Sequence, residues 1–106
     1  MEIYKRAGVK IGFGSDLLGP SQRLQSDEFR IRANVLTPFE AIQSATTTAA
    51  EVLNMQGKLG FLAPGAHGDV LIVDGNPYKD VSCLLGQGDH IPFVMKDGKI
   101  YHNELI

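Results

Sequence analysis

The chain has 106 residues, of which 43% are hydrophobic and 21% are charged, and its formal net charge is −2. This length accommodates one domain at most, and the balanced charge excludes the basic surface expected of a protein that binds nucleic acid or a membrane. The longest apolar runs, such as residues 70–73, are far too short to span a bilayer. Cys83 is the only cysteine, which rules out an intrachain disulfide and favours a reducing, cytoplasmic location.

The first predicted elements are the end of a helix and a short strand. Residues 1–8 are typical of the last turns of a helix, with basic Lys5 and Arg6 near its end and Gly8 as its C-terminal cap. An apolar strand is predicted over residues 9–13, and Gly14-Ser15-Asp16 ends it. A helix that leads into a buried strand is half of a repeating βα pattern, so we expect the earlier members of such a pattern to be missing from this chain.

Three helices are predicted next. The first covers roughly residues 26–34, with Ser26 or Asp27 as its N-cap. The second begins at Thr37-Pro38-Phe39-Glu40, a capping box with threonine at N-cap, proline at N1 and glutamate at N3. Thr48-Ala49-Ala50-Glu51 repeats the capping pattern and predicts a short third helix from residue 49 to residue 54 or 55, ended by Gly57.

From residue 58 on, the sequence is typical of β structure. Short strands are predicted at residues 59–62 and 69–73, with a turn at residues 64–68 between them. Residues 91–95 and 99–101 flank Asp97-Gly98, the dipeptide preferred in two-residue type I′ hairpins. At least four strands therefore follow the helices, and we expect a helical layer to give way to a separate small sheet near residue 58.

Asp16 is the first candidate for chemistry. An acidic side chain directly after a buried parallel strand occupies the place where α/β barrels build their active sites. A loop aspartate that caps the next segment has the same sequence context, so position alone does not separate the two interpretations. One aspartate cannot bind a catalytic metal tightly, because such sites need three or more protein ligands.

The other reactive residue types favour structural roles. His67, His90 and His102 show none of the spacings of a metal motif, and none is near Asp16 in the sequence. Cys83, which precedes two leucines, is typical of a small core residue rather than a nucleophile. Gly12-Phe13-Gly14 resembles the start of a dinucleotide fingerprint, but the third glycine is misplaced and Pro20 interrupts the expected helix.

Three stretches taken together resemble the amidohydrolase superfamily. GVKIGFGSD (residues 8–16) resembles its eighth barrel strand with the terminal aspartate, and LTPFEAI with the alanines at 45, 49 and 50 resembles the helix pair that follows. KLG through APG (residues 58–65) and GDVLIVDGNP (residues 68–77) resemble the strands that return to its small β-sandwich domain. LLG (residues 17–19) and QSDEFR (residues 25–30) further resemble the imidazolonepropionase-related, prolidase-like branch.

The resemblance implies an α/β fold. Residues 1–57 would be the C-terminal part of a (β/α)8 TIM barrel, namely its last strand and the following helices, and residues 58–106 would be strands of the small β-sandwich domain. Full-length relatives carry one or two Zn2+ ions and hydrolyse C–N bonds, in this branch often those of Xaa-Pro or related dipeptides and N-acyl amino acids. Asp16 matches the aspartate that binds the more buried metal and accepts a proton from the attacking water.

The rest of that active site has no match in this chain. The family's His-x-His pair, its metal-bridging modified lysine and its two later histidines belong to barrel strands that are missing here. The loop over residues 17–25 is expected at the mouth of the site, where Gln22 and Arg23 are candidate contacts for a small amide or dipeptide substrate. We therefore expect the chain alone to be inactive.

Two interpretations stay open. The chain is either a segment of a zinc amidohydrolase or a non-catalytic, stand-alone remnant that forms oligomers, whereas an unrelated small-ligand-binding domain has little support. In both remaining cases the apolar faces around the helices lack cover. We therefore expect an ordered chain to be a homo-oligomer or to associate with the missing barrel portion.

Overall fold

The computed structural model describes residues 1–16 and 19–105, the side chains of residues 20–23 excepted. Four α-helices come first in the chain and a three-stranded sheet follows. The helices are α1 (Glu2–Arg6), α2 (Glu28–Arg32), α3 (Pro38–Ala45) and α4 (Thr47–Val52), and the strands are β1 (Val70–Ile72), β2 (Phe93–Lys96) and β3 (Lys99–Asn103). Two 3₁₀ helices, Gly19–Asp27 and Val81–Leu84, complete the secondary structure of the described residues.

The C-terminal cap predicted for α1 is confirmed. Gly8 adopts a left-handed conformation with φ 74°. Its amide donates to the carbonyl of Lys5 and the amide of Val9 donates to the carbonyl of Tyr4, each at 3.1 Å. This pair of hydrogen bonds is a Schellman motif, which satisfies the last carbonyls of the helix.

The start of α2 differs from the prediction. The 3₁₀ helix Gly19–Asp27 occupies most of the expected loop and runs directly into α2. Asp27 stands at the N-cap, but its backbone is already helical (φ −65°, ψ −16°) and its side chain makes no capping hydrogen bond. A capping side chain works from an extended backbone, so the continuous helical entry removes its role here.

The capping box of α3 is confirmed, whereas the second one is not formed. The Glu40 amide donates to Thr37 Oγ1 at 3.2 Å, and the Thr37 amide donates to Glu40 Oε1 at 2.9 Å. The next helix already begins at Thr47, directly after Thr46, so Thr48 lies in its first turn instead of at its cap. The prediction failed because only one residue separates α3 from α4.

The end of α4 also comes earlier than predicted. Asn54 takes the left-handed conformation with φ 55°, the role that the sequence assigned to Gly57. The Asn54 amide donates to the carbonyl of Glu51 at 3.0 Å, and the Met55 amide donates to that of Ala50 at 2.7 Å. Asparagine is the residue that most often replaces glycine in this motif, so it closes the helix at Val52.

The sheet is antiparallel throughout, in the order β1-β2-β3. Asp97 (φ 49°) and Gly98 (φ 78°) both have positive φ, which confirms the predicted type I′ turn between β2 and β3. The turn predicted at residues 64–68 is also present, with the Ala66 amide donating to the carbonyl of Ala63 at 3.1 Å. Among the residues that the structure describes, three strands form where at least four were predicted.

Two predicted strands are not formed within the described residues, and each has a physical reason. Residues 9–13 form no strand, because no described segment lies alongside them to share hydrogen bonds. The barrel strand implied by the resemblance is therefore absent from this chain's own sheet. Residues 59–62 are interrupted at Gly60, whose φ of 87° is outside the β region, and a Cβ there would lie 2.5 Å from the carbonyl oxygen of Thr46.

The hydrophobic core is small. Leu36, Ala41 and Val81 form its buried centre, with Phe29 and Val35 packed against it. Within residues 1–16 and 19–105, no large side chain is fully buried. Many large hydrophobic side chains are exposed instead, on the helices, the sheet and the segments between them: Ile3, Tyr4, Val52, Leu53, Phe61, Leu62, Leu71, Tyr78, Ile100 and Tyr101.

Candidate functional site

Asp16 lies at the end of an irregular segment, residues 9–16, that precedes the first 3₁₀ helix. Its side chain is exposed and its backbone is left-handed, with φ 55°. Positive φ is uncommon outside glycine, and aspartate is among the few residues that tolerate it. The carboxylate is therefore presented to solvent from a left-handed backbone position.

The aromatic ring of Phe13 anchors this segment, which we call the Asp16 segment (residues 9–16), to helix α2. The centroids of the Phe13 and Phe29 rings are 4.4 Å apart. The guanidinium carbon of Arg32 lies 4.9 Å from the centroid of the Phe13 ring. Both contacts are within the range of favourable aromatic and cation–π interactions, so α2 holds the chain three residues before Asp16.

Helix α4 contacts the same segment from another direction. A Cβ at Gly12 would lie 3.3 Å from Val52 Cγ2, so glycine allows the backbone to approach this side chain closely. Lys10 Nζ donates to Glu51 Oε2 at 2.6 Å in an exposed ion pair. Side chains of α2 and α4 thus fix a segment that has no strand partner among the described residues.

Arg32 is the charged residue that the sequence reading missed. Its side chain is 5% exposed, and its Nε donates to Glu28 Oε2 at 3.0 Å. Its Nη1 lies 3.5 Å from the hydroxyl oxygen of Ser44, a buried group on α3 that donates in turn to the carbonyl of Ala41 at 2.6 Å. Sequence alone suggests a solvated arginine, although the Glu28–Arg32 spacing of one helical turn is a signal for the ion pair.

The other candidate residues stand apart from Asp16. His67 Nδ1 pairs with Asp97 Oδ1 and His102 Nε2 pairs with Glu104 Oε1, each at 3.0 Å, while His90 is exposed. Burial raises the pKa of the Cys83 thiol, which keeps it protonated at neutral pH and makes it a poor nucleophile. Gln22 and Arg23 belong to the first 3₁₀ helix, but their side chains lie outside the part of the chain that the structure describes.

The carboxyl at the α3 cap has a shifted pKa. The backbone hydrogen bond from Thr37, the Lys5 ammonium and the Thr37 side chain hold the pKa of Glu40 below its usual range. Lys5 Nζ is 3.2 Å from Glu40 Oε1 and donates to the Val35 carbonyl at 2.8 Å. These contacts join α1 to the start of α3, and none of them involves Asp16.

Two of the cavities among the described residues lie beside α3 and α4. One, of about 390 Å³, separates residues 8–11 from α3 and α4 and is lined by charged and apolar groups, including Lys10 and Glu51. The other, of about 670 Å³, lies between α4 and the sheet and is mainly apolar, with Leu53, Phe61 and Leu71 in its wall. Asp16 lines neither of them.

The described residues alone do not make a metal centre. No group of three or more histidine, cysteine, aspartate or glutamate side chains within them could hold a metal ion. In the same residues, every helix is too short or too polar to cross a bilayer. Asp16 therefore provides a single exposed carboxylate on an anchored segment.

The chain is similar to proteins of known structure over nearly its whole length. A sequence model of the amidohydrolase family matches residues 1–101. The crystal structure of an amidohydrolase superposes with a TM-score of 0.96 and 70% identity, over 99% of this chain and 25% of that one. A prolidase complexed with N-methylphosphonate-L-proline superposes with a TM-score of 0.92 and 50% identity, over 97% of this chain and 25% of the prolidase.

Sequence relatives point the same way. A 5-methylthioadenosine/S-adenosylhomocysteine deaminase of Symbiobacterium thermophilum is 31% identical over 94% of this chain and 28% of the deaminase. An imidazolonepropionase of Rubrobacter xylanophilus is 40% identical over 59% of this chain and 15% of that enzyme. The chain thus spans about a quarter of the length of the proteins it matches, or less.

Proposed function

Because the chain belongs to the amidohydrolase family, we propose that it is the C-terminal segment of a longer metal-dependent hydrolase that cleaves C–N bonds. Xaa-Pro and other dipeptides, or N-acyl amino acids, are the proposed substrates. The observation that carries this proposal is the 50% identity with a prolidase that was crystallised with a proline-containing phosphonate. The parent enzyme is proposed to be cytoplasmic, since the free thiol of Cys83 suits a reducing compartment.

We assign the catalytic role to Asp16. Amide hydrolysis needs a base that takes a proton from the attacking water and returns it to the leaving amine. An exposed carboxylate at the end of an anchored segment suits this task, because it reaches solvent while its backbone is held near Phe13. Gln22 and Arg23 follow six and seven residues later, and we propose that they contact the substrate.

The expected metal fits this chain only in part. A carboxylate oxygen is an ordinary zinc ligand, but a zinc site takes three or more protein ligands. We therefore propose that Asp16 supplies one ligand and that polypeptide outside this chain supplies the others. When bound, Zn2+ would act as a Lewis acid toward the scissile carbonyl. The isolated chain should accordingly bind zinc weakly and turn over no substrate.

The proposed division of the chain follows the same assignment. Residues 1–57 would contribute the end of the barrel and residues 58–106 would contribute strands of the small β-sandwich domain. The change from helices to antiparallel strands between α4 and β1 supports a division in this region. The exposed apolar side chains on both parts support contact with further polypeptide.

A chimera tests this function. The matching quarter of the prolidase would be replaced by this chain, and hydrolysis of Xaa-Pro dipeptides would be measured with added Zn2+. We expect turnover by the chimera and none by the isolated chain or by the prolidase truncated before the junction. Turnover of 5-methylthioadenosine in place of dipeptides would contradict the proposed substrate class.

The second candidate function is a non-catalytic module that forms oligomers. The observation in its favour is the number of exposed apolar side chains, which continue from α4 across the mainly apolar cavity to the sheet. Light scattering after size exclusion, over a dilution series, would measure the mass of the isolated chain. A homo-oligomer combined with an inactive chimera would favour this candidate, whereas a monomer of 11.5 kDa would exclude it.

A further inference from the structure

The burial of Arg32 calls for an explanation beyond stability. Removing a guanidinium from water carries a large desolvation penalty, and a buried ion pair often contributes little net stability compared with apolar residues of the same size. Arg32 is nevertheless 5% exposed, beside a Glu28 side chain that is 15% exposed. Such pairs are best attested where they select one arrangement of the chain.

The contacts of Arg32 define that arrangement. Glu28 lies one turn earlier on the same helix and accepts from Nε at 3.0 Å, which fixes the direction of the guanidinium plane. With Nε held, the guanidinium carbon lies 4.9 Å from the centroid of the Phe13 ring. A cation over an aromatic ring gains strength when water is excluded, as it is around this buried arginine.

Phe13 links this contact to Asp16. Only Gly14 and Ser15 separate the two residues, and the described residues offer the segment no strand partner. The ring of Phe13 contacts two side chains of α2. Its centroid lies 4.4 Å from the centroid of the Phe29 ring and 4.9 Å from the guanidinium carbon of Arg32. The position of the Asp16 backbone therefore depends on side-chain contacts made three residues earlier.

We infer that Arg32, oriented by Glu28, is a positioning residue that sets the place of the Asp16 carboxylate through the ring of Phe13. The structural part of this inference concerns the isolated chain alone. Its catalytic consequence rests on the proposed function of Asp16. Misplacing a catalytic group by about 1 Å can lower a rate by about 100-fold, so a distant anchor of this kind has a measurable effect.

The structural part is tested by backbone 15N relaxation on the 106-residue chain. In the wild type we expect order parameters of about 0.85 at Ser15 and Asp16, the value of a rigid backbone. In Arg32→Met and Phe13→Leu we expect these values to fall below about 0.6. Phe13→Tyr keeps the aromatic face and should retain the wild-type values. Arg30→Met, an exposed arginine on the same helix, is the matched control and should change nothing.

The outcomes decide the inference even if one variant is unstable. Should Arg32→Met unfold by circular dichroism, Phe13→Leu still tests the step from the Phe13 ring to Asp16, because it leaves the Glu28–Arg32 pair in place. Unchanged order parameters at Ser15 and Asp16 in a folded Phe13→Leu chain would overturn the inference.

The catalytic consequence is measured in the prolidase chimera. Arg32→Met is expected to lower kcat by about 10- to 100-fold while KM stays within about two-fold, since the substrate contacts are untouched. Arg30→Met should retain both constants. A wild-type chimera without activity, beside loss of order in the isolated variants, would reject the proposed function and leave the positioning role standing. Unchanged kcat in an active Arg32→Met chimera would overturn the positioning role.

Discussion

The β2–β3 hairpin and the Asp16 segment are held in place in different ways. The hairpin contains its own pairing partner. The two backbone amides of its turn also donate to the residues just before β1: the Gly98 amide to the carbonyl of Gly68 at 2.9 Å, and the Asp97 amide to Asp69 Oδ1 at 2.8 Å. The Asp16 segment has no strand beside it in the described residues and is anchored by the side chains of Phe13 and Lys10.

This difference bears on where the proposed function resides. A hairpin closes with few residues between its strands and forms its hydrogen bonds locally, whereas a barrel strand needs neighbours that lie far away in the sequence. The segment with the proposed catalytic residue thus depends on side-chain contacts with α2 and α4 rather than on strand pairing within the described residues. A substitution in one region should therefore change the stability or order of that region and leave the other region as it is in the wild type.

The largest effect is expected at Arg32. Arg32→Met would leave the mostly buried Glu28 carboxylate without its cation, which should lower the free energy of unfolding by about 3 kcal/mol. Chemical denaturation followed by circular dichroism measures this change, and the exposed Arg30→Met should stay within about 0.5 kcal/mol of wild type. The amide spectrum of the hairpin should be preserved. Equal losses of unfolding free energy in Arg32→Met and Arg30→Met would show that the Glu28–Arg32 ion pair does not stabilise this part of the fold.

A smaller effect is expected in the hairpin. Gly98 has φ 78°, so Gly98→Ala places a Cβ in a left-handed conformation that costs about 1–2 kcal/mol. Amide exchange should accelerate in β2 and β3 while Ser15 and Asp16 keep their wild-type order parameters. Lower order parameters at Ser15 and Asp16 in Gly98→Ala would show that the two regions are coupled and are not held in place independently.

The cap of α3 gives the next effect, because α3 carries Ser44, whose hydroxyl oxygen lies 3.5 Å from Arg32 Nη1. Thr37→Ala removes the hydroxyl that accepts from the Glu40 amide and should cost about 1 kcal/mol. Thr48→Ala is the matched control, since Thr48 lies inside α4 and caps nothing. Thr37→Ala should therefore unfold at a lower temperature than Thr48→Ala. A lower unfolding temperature for Thr48→Ala would contradict the observed start of α4.

The smallest effect is a dependence on pH. Because the pKa of Glu40 is lower in the folded chain than its usual 4.5, its ionised form stabilises the fold above that value. This contribution is lost as the pH falls through the lowered pKa, when the carboxyl takes up a proton. The difference in unfolding free energy between wild type and Glu40→Gln should therefore shrink as the pH falls below about 4.5. A difference that grew in acid would have the wrong sign.

Local sequence signals predicted the parts of the fold that depend on near neighbours. The Schellman motif at Gly8, the capping box at Thr37 and the type I′ turn at Asp97-Gly98 each need only a few consecutive residues, and all three are present. The predictions of the second capping box and of the strand at residues 59–62 were wrong. The first was wrong because α4 begins only one residue after α3 ends, and the second because Gly60 has a positive φ. No short window of sequence contains that information.

The candidate site was predictable to a similar extent. The position of Asp16 after an apolar segment is visible in the sequence, and its role remains a prediction. The Arg32–Phe13 contact joins residues 19 positions apart and could not be read from helical periodicity, which places a charged residue in solvent by default. Side-chain anchors between separate elements appear only once the elements are packed.

The most direct test of the account is the kcat of the prolidase chimera with Asp16→Asn, measured on an Xaa-Pro dipeptide with saturating Zn2+. Asparagine keeps the size of the side chain but cannot accept the proton from water. We expect kcat to fall by at least about 10²- to 10⁴-fold, the usual contribution of a general base, while the variant stays folded. An Asp16→Asn chimera with the kcat of the unmodified chimera would contradict the assignment of Asp16.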